Sequence, residues 1–493
     1  MLQQLDKADI VRRMVAPQTT QRHKAELGQF MTPSSVARYM ASLFPPSALR
    51  ACRLLDAGAG IGTLSCAFLD RWVAGDFGFE SVEATAYEID EKLCGHLARH
   101  LGGYNRVTSR IVMGDYIKLA TTNDLFMEML PTGYTHAILN PPYKKINSSS
   151  LHRLALRRAG IETVNLYSAF VALAVSDAAP SGQIVAIIPR SFCNGPYYRP
   201  FRDFIFDRAA IHHIHLFESR NKAFKDDDVL QENIIIRLER GGQQGHVTVS
   251  TSTDDSFSDL TTHEHPFDRI VFPDDPERFI HVPATTEKSA IELSPAVRYS
   301  LTDIGVKVST GPVVDFRLKD HLCDMPRLGA VPLIYPGHLS MTGTAWPAPN
   351  SKKPNAIMRN DETEKWLYPN GFYCAVRRFS AKEEKRRVMA SIVDPTAFGD
   401  HAMLGFENHM NLFHENKHGL PEALARGLVV FLNTTAVDEH FRRFNGHTQV
   451  NATDLKMMKY PSRDTLVRLG EWAMQQDMLT QEQIDTKLET LTA

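Results

Sequence analysis

The chain has 493 residues, of which 43% are hydrophobic and 23% are charged, and this balance excludes a disordered or fibrous protein. The length predicts about two to four domains, and the formal net charge of −2 means that any nucleic-acid contact must come from local clusters of Lys and Arg. The six cysteines form no C-x-x-C pair, and no signal-peptide pattern or membrane-length apolar run is found, so we expect a protein of the reducing cytoplasm.

The first half of the chain has the pattern of an α/β fold. Short apolar runs alternate with helical patterns, as is typical of a doubly wound, mostly parallel sheet. Residues 166–178 (LYSAFVALAVSDA) predict a helix between the fourth and fifth strands. The seven predicted strands are RLLD (53–56), VEATAYE (82–88), RIVMGD (110–115), HAILN (136–140), QIVAIIP (183–189), IHHIHLF (211–217) and NIIIRL (233–238).

A polar stretch after Gly242, rich in Ser, Thr and Asp, indicates a domain boundary or a surface hairpin. Beyond it, residues 300–375 contain many Pro and Gly residues and short β-like runs, whereas residues 417–491 have a helical pattern. We therefore predict one α/β domain at residues 1–250 and a mixed α+β region at residues 251–493.

A glycine-rich turn follows the first predicted strand. Asp56 ends the strand, and the turn contains Gly58, Gly60 and Gly62 before a predicted helix at residues 63–72. Glycines here let a bulky ligand lie against the backbone, and the helix N-terminus favours the carboxylate end of that ligand. Alone, the turn fits any nucleotide-binding α/β protein, including a nicotinamide enzyme.

Acidic residues also stand at the ends of the next two strands. Glu88, followed by Ile89, is placed to accept hydrogen bonds from both hydroxyls of a ribose. Asp115, followed by Tyr116, is placed to accept one from an adenine amino group. A single acid after a strand is usually only solvated, but three on consecutive strand ends indicate a cofactor site at this edge of the sheet.

The fourth predicted strand ends in the tetrapeptide Asn140-Pro141-Pro142-Tyr143. An exocyclic amine on a base is a poor nucleophile because its lone pair is delocalised into the ring. If the Asn140 side-chain oxygen and the Pro141 carbonyl each accept one N–H, the lone pair is directed at an incoming methyl group, and Tyr143 stacks on the base. As an isolated match the tetrapeptide indicates only a rigid turn, but beside the cofactor pattern it indicates amino-group methylation.

With these motifs in this order, the chain resembles the gamma-class N6-adenine DNA methyltransferases of type II restriction-modification systems. Residues 28–33 (GQFMTP), within an N-terminal segment of residues 1–50, resemble the family motif that folds over the methionine end of the cofactor, S-adenosylmethionine. The resemblance implies a Rossmann-like class I methyltransferase fold with a seven-stranded, mostly parallel sheet. It also implies that Phe30, Thr32, Pro33 and Asn140 contact the cofactor.

The stretch between the glycine turn and the tetrapeptide is too short for a target-recognition domain, so the resemblance places that domain in the second half. Phe224 is implied to pack on the flipped adenine, although it fits an ordinary core position as well. The resemblance also implies that the chain acts on double-stranded DNA, either as the modification enzyme beside a cognate restriction endonuclease of the same system or as an orphan relative without one.

Two longer runs, residues 377–387 (RRFSAKEEKRR) and 444–461, resemble the PstI-type branch of the family and imply DNA contacts. Clustered positive charge beside an aromatic residue suits phosphate contacts. The KEEKRR portion also fits a solvated helix face. The implied DNA-contacting residues are Arg377, Arg378, Lys385, Arg386, Arg387, His447, Thr448, Gln449 and Asn451.

Several other activities compete with this interpretation. The same chemistry can act on a glutamine side chain or a structured RNA, and a DNA-binding protein can carry an inactive methyltransferase core. N4-cytosine methylation is disfavoured, because those enzymes usually open the tetrapeptide with Ser. Cytosine-C5 methylation needs a cysteine nucleophile next to a proline; no Pro-Cys pair occurs, and we interpret Cys193 as a packing residue.

Two histidine patterns point to metals only weakly. Residues 414–418 (HENKH) fit the H-E-x-x-H zinc pattern, but Gly419 and Pro421 would end a helix at its second ligand, so we predict no zinc site. His213 and His215 share a face of a predicted strand, which allows a metal pair, but we expect strand histidines to face the solvent. A nuclease needs its Pro-Asp and Glu-x-Lys elements close together on one sheet. In this chain the two elements lie too far apart, so we predict no DNA cleavage.

Overall fold

The N-terminal unit, Met1–Thr286, is built around one large sheet, and the C-terminal unit, Glu287–Ala493, around two smaller sheets and a group of helices. In the part of the chain that the structure describes, no helix is both long and apolar enough to cross a membrane. The structure, a computed structural model, describes residues 3–15, 31–122, 133–217, 232–273, 275–283, 291, 294–380, 384–444, 449–476 and 478–492.

The strands of the large sheet are β1 (Ala51–Ala57), β2 (Ser81–Glu88), β3 (Val107–Met113), β4 (Tyr134–Leu139), β5 (Ala178–Pro189), β6 (Ala209–Phe217), β7 (Asn233–Arg240), β8 (Val247–Ser252) and β9 (Thr261–His265). Their order in the sheet is β3-β2-β1-β4-β5-β7-β6-β8-β9. β1 pairs in parallel with β2 and β4, whereas β7 is antiparallel to β5 and β6. The strand order reverses between β1 and β4, and the carboxyl ends of these strands border a crevice of the kind where such sheets bind ligands.

Helices pack on both faces of this sheet. Neighbouring residues of β1, Leu54 and Leu55, are buried in two different hydrophobic clusters, because successive side chains of a strand point to opposite faces. The helices of the unit are α1 (Gln4–Val15), α2 (Ser34–Ser42), α3 (Thr63–Val73), α4 (Glu91–Leu101), α5 (Tyr116–Thr121), α6 (Leu151–Arg158), α7 (Leu166–Asp177), α8 (Arg199–Arg208) and α9 (Phe267–Ile270).

All seven predicted strands are present as β1 to β7, and the helix predicted at residues 166–178 is α7. The polar stretch after Gly242 forms β8 and β9, which extend the sheet: β8 pairs in parallel with β6 and antiparallel to β9. Val247 and Val249 alternate with polar residues and are buried, which the overall polarity of the stretch concealed. The predicted boundary at residue 250 is therefore corrected to Thr286.

On β6, His215 is buried and His213 is half-buried, and both contact the neighbouring strand, so the expectation that they face solvent was wrong. Ser250 Oγ on β8 lies 2.8 Å from His213 Nε2 and 2.9 Å from His215 Nδ1, and the Tyr39 hydroxyl lies 2.8 Å from the same oxygen. Burial lowers the pKa of His213 to about 4 and that of His215 to about 3. Both rings are therefore neutral at neutral pH, and β8 supplies a hydroxyl partner for them.

The C-terminal unit confirms the predicted change from strands to helices along the chain. Its two sheets have the strand orders β10-β18-β15-β16 and β11-β13-β12-β17-β14, where the strands are β10 (Lys307–Thr310), β11 (Leu322–Cys323), β12 (Ala330–Ile334), β13 (Ala356–Met358), β14 (Leu367–Pro369), β15 (Tyr373–Arg377), β16 (Ala390–Val393), β17 (Met403–Phe406) and β18 (Met410–His414). The helices are α10 (Glu422–Leu432), α11 (Thr435–Phe444), α12 (Ala452–Met457), α13 (Arg463–Met474) and α14 (Gln481–Thr492).

The close approach of α10 and α13 depends on two glycines. A Cβ on Gly427 would overlap the carbonyl of Leu466, and one on Gly470 would overlap the carbonyl of Ala423. Without these two glycines the helices would have to move apart. Leucines and valines on both sides of the crossing belong to the main hydrophobic core of the unit.

The H-E-x-x-H pattern lies on a strand end and a turn. His414 ends β18, is buried, and its Nε2 lies 2.9 Å from Ser309 Oγ. Asn416 and Lys417 have positive φ, as in a tight turn. The two histidines of the pattern therefore do not share a helix face, which such a zinc motif requires.

Candidate active site

A cavity of about 330 Å³ lies at the carboxyl edge of the large sheet. Its walls come from the turn after β1, the ends of β2 and β3, and the tetrapeptide after β4. Concave sites at such a switch point are common ligand-binding sites. The predicted site residues that line it are Thr32, Gly58, Gly60, Glu88, Ile89, Asp115, Tyr116, Asn140 and Pro142.

The glycine turn presents bare backbone to this cavity. Gly58, Gly60 and Gly62 have φ angles of +77°, +57° and +89°, a region in which a side chain is strained. A Cβ on Gly58 would lie 3.6 Å from Phe170 and 3.9 Å from the carbonyl of Asn140. A Cβ on Gly60 would meet no described atom within 4 Å. Side chains at Gly58 and Gly60 would therefore take up space that the cavity leaves open.

Asp56 does not line the cavity, which corrects its predicted contact with the cofactor. Its side chain has no exposed surface, and Oδ2 accepts hydrogen bonds from the Ser65 hydroxyl at 2.6 Å and the Ser65 backbone N–H at 3.2 Å. Burial raises the pKa of Asp56 to about 7, and Oδ1 has no hydrogen-bond partner in the described part of the chain. Asp56 thus ties the first turn of α3 to the end of β1.

Glu88 joins the end of β2 to the glycine turn. Its Oε2 accepts a hydrogen bond from the Gly60 N–H at 2.7 Å, and Oε1 accepts from the N–H groups of Ile89 and Asp90 at 2.9 and 2.8 Å. Burial raises the pKa of Glu88, while the three N–H groups oppose that rise by stabilising the carboxylate. Glu88 therefore fixes the shape of the turn from within the cavity wall, and its predicted contact with a ribose stays a prediction.

Asp115 caps α5 and meets a residue that the sequence analysis missed. Its Oδ1 accepts a hydrogen bond from the Lys118 N–H at 3.2 Å, and its Oδ2 lies 2.5 Å from Nε2 of His152, which also lines the cavity. No sequence motif marks His152, because the two residues are 37 positions apart and only the fold brings them together.

The Asn140 amide is oriented by Thr32. Its Nδ2 donates a hydrogen bond to Thr32 Oγ1 at 2.9 Å, so the side-chain oxygen is left as the acceptor. The Tyr143 hydroxyl lies 3.3 Å from Asn140 Oδ1 and 3.3 Å from the carbonyl of Ile187. The segment before α2 and the tetrapeptide, which lie over a hundred positions apart, thus meet at one side chain.

Tyr143 is half-buried among other tyrosines. Its ring lies edge-on to that of Tyr167, with centroids 6.2 Å apart, and Tyr167 in turn stacks on Tyr198 at 5.9 Å. Burial raises the pKa of the Tyr143 hydroxyl, which therefore keeps its proton. The predicted stacking of Tyr143 on a target base stays a prediction.

The remaining predicted residues fall into two groups. Those outside the described residues are Phe30, Phe224, His447 and Thr448. Those described but not lining the cavity are Pro33, Asp56, Gly62, Pro141 and Tyr143. Besides His152, two further cavity residues were not predicted, the exposed Lys144 and Lys145. Their position directly after the tetrapeptide was an available signal.

The predicted DNA-contacting arginines are largely engaged within the C-terminal unit. Arg377 forms an ion pair with Glu384, and Arg378 donates a hydrogen bond to the Gln449 side chain at 3.2 Å. Arg386 is half-buried and donates to a backbone carbonyl of the same unit at 2.6 Å. These contacts leave the predicted roles in DNA binding untested.

Arg387 contradicts its predicted role. The side chain has no exposed surface, its Nε donates to Ser380 Oγ at 3.2 Å, and its guanidinium lies over the ring of Phe441. A side chain buried in this way does not reach a phosphate, so the prediction for Arg387 was wrong. Lys385, two positions earlier, is exposed.

Asn451 has a structural role that the sequence could have shown. It is the N-cap of α12, and its backbone N–H donates to Asp454 Oδ2 at 2.8 Å in a capping box. A polar cap residue followed three positions later by an acid is a known signal of a helix start. A DNA contact of Asn451 stays a prediction.

The chain is similar in sequence to known proteins. The family model described as Eco57I restriction-modification methylase matches residues 88–224. The chain is 51% identical to the type II methyltransferase M.BsuBI of Bacillus subtilis, covering 100% of this chain and 98% of that protein. It is 43% identical to the type II methyltransferase M.PstI of Providencia stuartii, covering 90% and 88%.

Among solved structures, the DrdV-DNA complex matches with a TM-score of 0.53 at 13% identity, covering 95% of this chain and 59% of that one. At this identity the likeness concerns the fold alone. The strand order β3-β2-β1-β4-β5-β7-β6, in a chain 51% identical to a type II methyltransferase, confirms the predicted class I methyltransferase fold, here extended by β8 and β9.

Proposed function

The chain belongs to the family of type II restriction-modification methyltransferases, and from this premise we propose that it methylates the N6 amino group of adenine at a specific site in double-stranded DNA. We propose S-adenosylmethionine as the methyl donor. The observation that carries the proposal is the Asn140 amide, which Thr32 holds with its oxygen as the acceptor beside the cavity.

The cavity residues fit S-adenosylmethionine. A Cβ at Gly58 or Gly60 would fill space beside the turn, so the bare backbone suits close approach of a bulky ligand. Glu88 and Asp115 supply acceptors for ribose hydroxyls and an adenine amino group. When bound, the cofactor supplies an electrophilic methyl group.

The tetrapeptide holds the target amine. The Asn140 side-chain oxygen and the Pro141 carbonyl each accept one N–H of a flipped adenine, which directs the nitrogen lone pair toward the methyl group. Thr32 keeps the amide from rotating, and Tyr143 stacks on the base while its hydroxyl stays protonated. Catalysis then comes mainly from positioning, with no covalent intermediate on the protein.

We further propose that the C-terminal unit reads the target sequence and that, where the system includes a cognate restriction endonuclease, that enzyme recognises the same site. The cytoplasmic location expected from the cysteine content stays a prediction.

Expression in a methylation-free host, followed by modification-sensitive sequencing of the host DNA, tests the proposal. We expect N6-methyladenine at one recurrent sequence. The Asn140→Ala variant should lose at least about 10²-fold in rate, because removing one such polar contact has that effect in other enzymes. The control Asn105→Ala replaces an exposed asparagine of the same unit and should methylate normally. N4-methylcytosine, unmodified DNA, or full activity of Asn140→Ala would overturn the proposal.

A further inference from the structure

The contact between His152 and Asp115 joins two capped helices. Asp115 is the N-cap of α5, and His152 lies in the first turn of α6, whose N-cap Ser150 accepts a hydrogen bond from the Arg153 N–H at 3.3 Å. Both backbones are therefore held by hydrogen bonds at their helix starts. The distance of 2.5 Å between Nε2 and Oδ2 makes this a short contact for a nitrogen and a carboxylate oxygen.

The chemistry of the pair assigns the donor. An ionised carboxylate only accepts hydrogen bonds, so Nε2 of His152 carries the proton and donates to Asp115. Each carboxylate oxygen of Asp115 has one partner in the described structure, the Lys118 N–H for Oδ1 and His152 for Oδ2. Since a carboxylate offers about four acceptor positions, capacity for a further donor is left.

The pair lies at the cavity, where the remaining acceptor capacity of the Asp115 carboxylate is available to a ligand. Both side chains line the cavity, with 30% and 19% of the His152 and Asp115 side chains exposed. The stretch from Lys144 to His152 follows the tetrapeptide directly and contributes further residues to the same wall. His152 thus connects the chain that leaves the tetrapeptide with the acid at the end of β3.

We infer that His152 is a positioning residue, which holds the Asp115 carboxylate so that it accepts the exocyclic amino group of the cofactor's adenine and rejects a ring with a carbonyl there. This inference rests on the proposed use of S-adenosylmethionine. Without His152, the carboxylate keeps only its hydrogen bond from the Lys118 N–H, so Oδ2 can turn toward solvent. A rotated carboxylate no longer distinguishes an amino group from a carbonyl oxygen, which it repels when held in place.

The test is calorimetric titration of the full chain, without DNA, with S-adenosylhomocysteine and with S-inosylhomocysteine. We expect the wild type to prefer the adenosyl compound strongly, and Asp115→Ala to lose this preference. His152→Ala should weaken adenosyl binding about 10-fold, the value of one hydrogen bond to a charged group, and reduce the preference to a few-fold. At saturating cofactor its kcat should change little while KM for the cofactor rises.

His152→Gln distinguishes positioning from a general loss of structure, because the glutamine side-chain amide can donate to Asp115 in place of Nε2. It should restore most of the preference. Leu154→Ala, which changes an exposed residue of the same helix, is the matched control and should behave as wild type.

An unchanged preference in His152→Ala, or equal losses in His152→Ala and His152→Gln, would overturn the inference. If His152→Ala does not fold, His152→Gln decides alone: wild-type preference supports the inference and lost preference overturns it. Because the titrations contain no DNA, methylation of another base would leave their result intact. A wild type that binds neither compound would overturn both this inference and the proposed cofactor.

Discussion

The two units place their charged side chains differently. In the N-terminal unit, Glu88 and Asp115 stand at strand ends and line one cavity. In the C-terminal unit, Arg377, Arg386 and Arg387 belong to one basic run, yet they contact a glutamate, a backbone carbonyl and a buried hydroxyl of their own unit. Acidic residues that lie far apart in sequence therefore share one site in the N-terminal unit, whereas neighbouring arginines of one run make separate internal contacts in the C-terminal unit.

The difference comes from what fixes the direction of a side chain. Parallel strands bring their carboxyl ends to one edge of a sheet, so residues at strand ends meet whatever their chemistry. A run of arginines has no such constraint, because each long side chain can turn back over its own fold and bury its stem. Topology is thus a better guide to a shared site than local charge.

Replacing Arg387 is the strongest test of whether the basic run stabilises its own unit. Arg387→Ala empties a fully buried site, and we expect the free energy of unfolding to fall by about 3 to 5 kcal/mol, as for other large-to-small substitutions at buried positions. Urea unfolding measures the change. The control Lys385→Ala, at an exposed position, should stay within about 0.5 kcal/mol of wild type. Weaker DNA binding by Arg387→Ala without loss of stability would remove the contrast between the units.

Acid should destabilise the N-terminal unit through His213 and His215. Burial holds the pKa of both below the ordinary value of about 6.5, at about 4 and about 3, so the unfolded chain takes up protons first as the pH falls. Stability is therefore complete above pH 6.5 and decreases as the pH falls toward 4 and 3, by a few kcal/mol in all.

The midpoint of urea unfolding at pH 7 and pH 5 checks this expectation. His215→Asn should reduce the pH dependence, whereas His246→Asn, at an exposed position of the same unit, should leave it unchanged. Equal pH dependence in all three proteins would mean that the buried pair does not govern acid stability.

A side chain at Gly60 should affect the cavity more than the fold. Gly60→Ala and Gly241→Ala both place a Cβ at positive φ with no described atom within 4 Å, and each should lose about 1 to 2 kcal/mol of stability through backbone strain. Only Gly60 lines the cavity, so only Gly60→Ala should also weaken binding of S-adenosylhomocysteine. Calorimetry on both variants separates the effects, and equal affinities would place the cofactor elsewhere.

Lys385 gives the smallest expected effect, because a single exposed contact with phosphate contributes little. Lys385→Ala should weaken binding to duplex DNA several-fold at low salt and lower the slope of log K against log salt by about 0.9. Lys352→Ala, another exposed lysine of the unit, is the control. A slope unchanged from wild type would exclude this part of the basic run from the DNA interface.

Residue patterns within short segments predicted much of the fold and part of the candidate site. Apolar alternation predicted β1 to β7, and their ends predicted where Glu88, Asp115 and Asn140 meet. Patterns failed where a partner lies far along the chain. His152 gains its role from Asp115, and Arg387 is buried against Phe441, and neither pairing leaves a trace in the neighbouring sequence.

The glycine crossing of α10 and α13 bears on how the chain is made. Gly427 packs against α13, which ends at Met474, so this part of the core cannot close until α13 has left the ribosome. The N-terminal unit ends at Thr286 and can fold well before that point, since domains generally fold as units during synthesis. A chain broken off before Gly470 would therefore carry a complete N-terminal unit beside an unfinished C-terminal one, exposed to proteases.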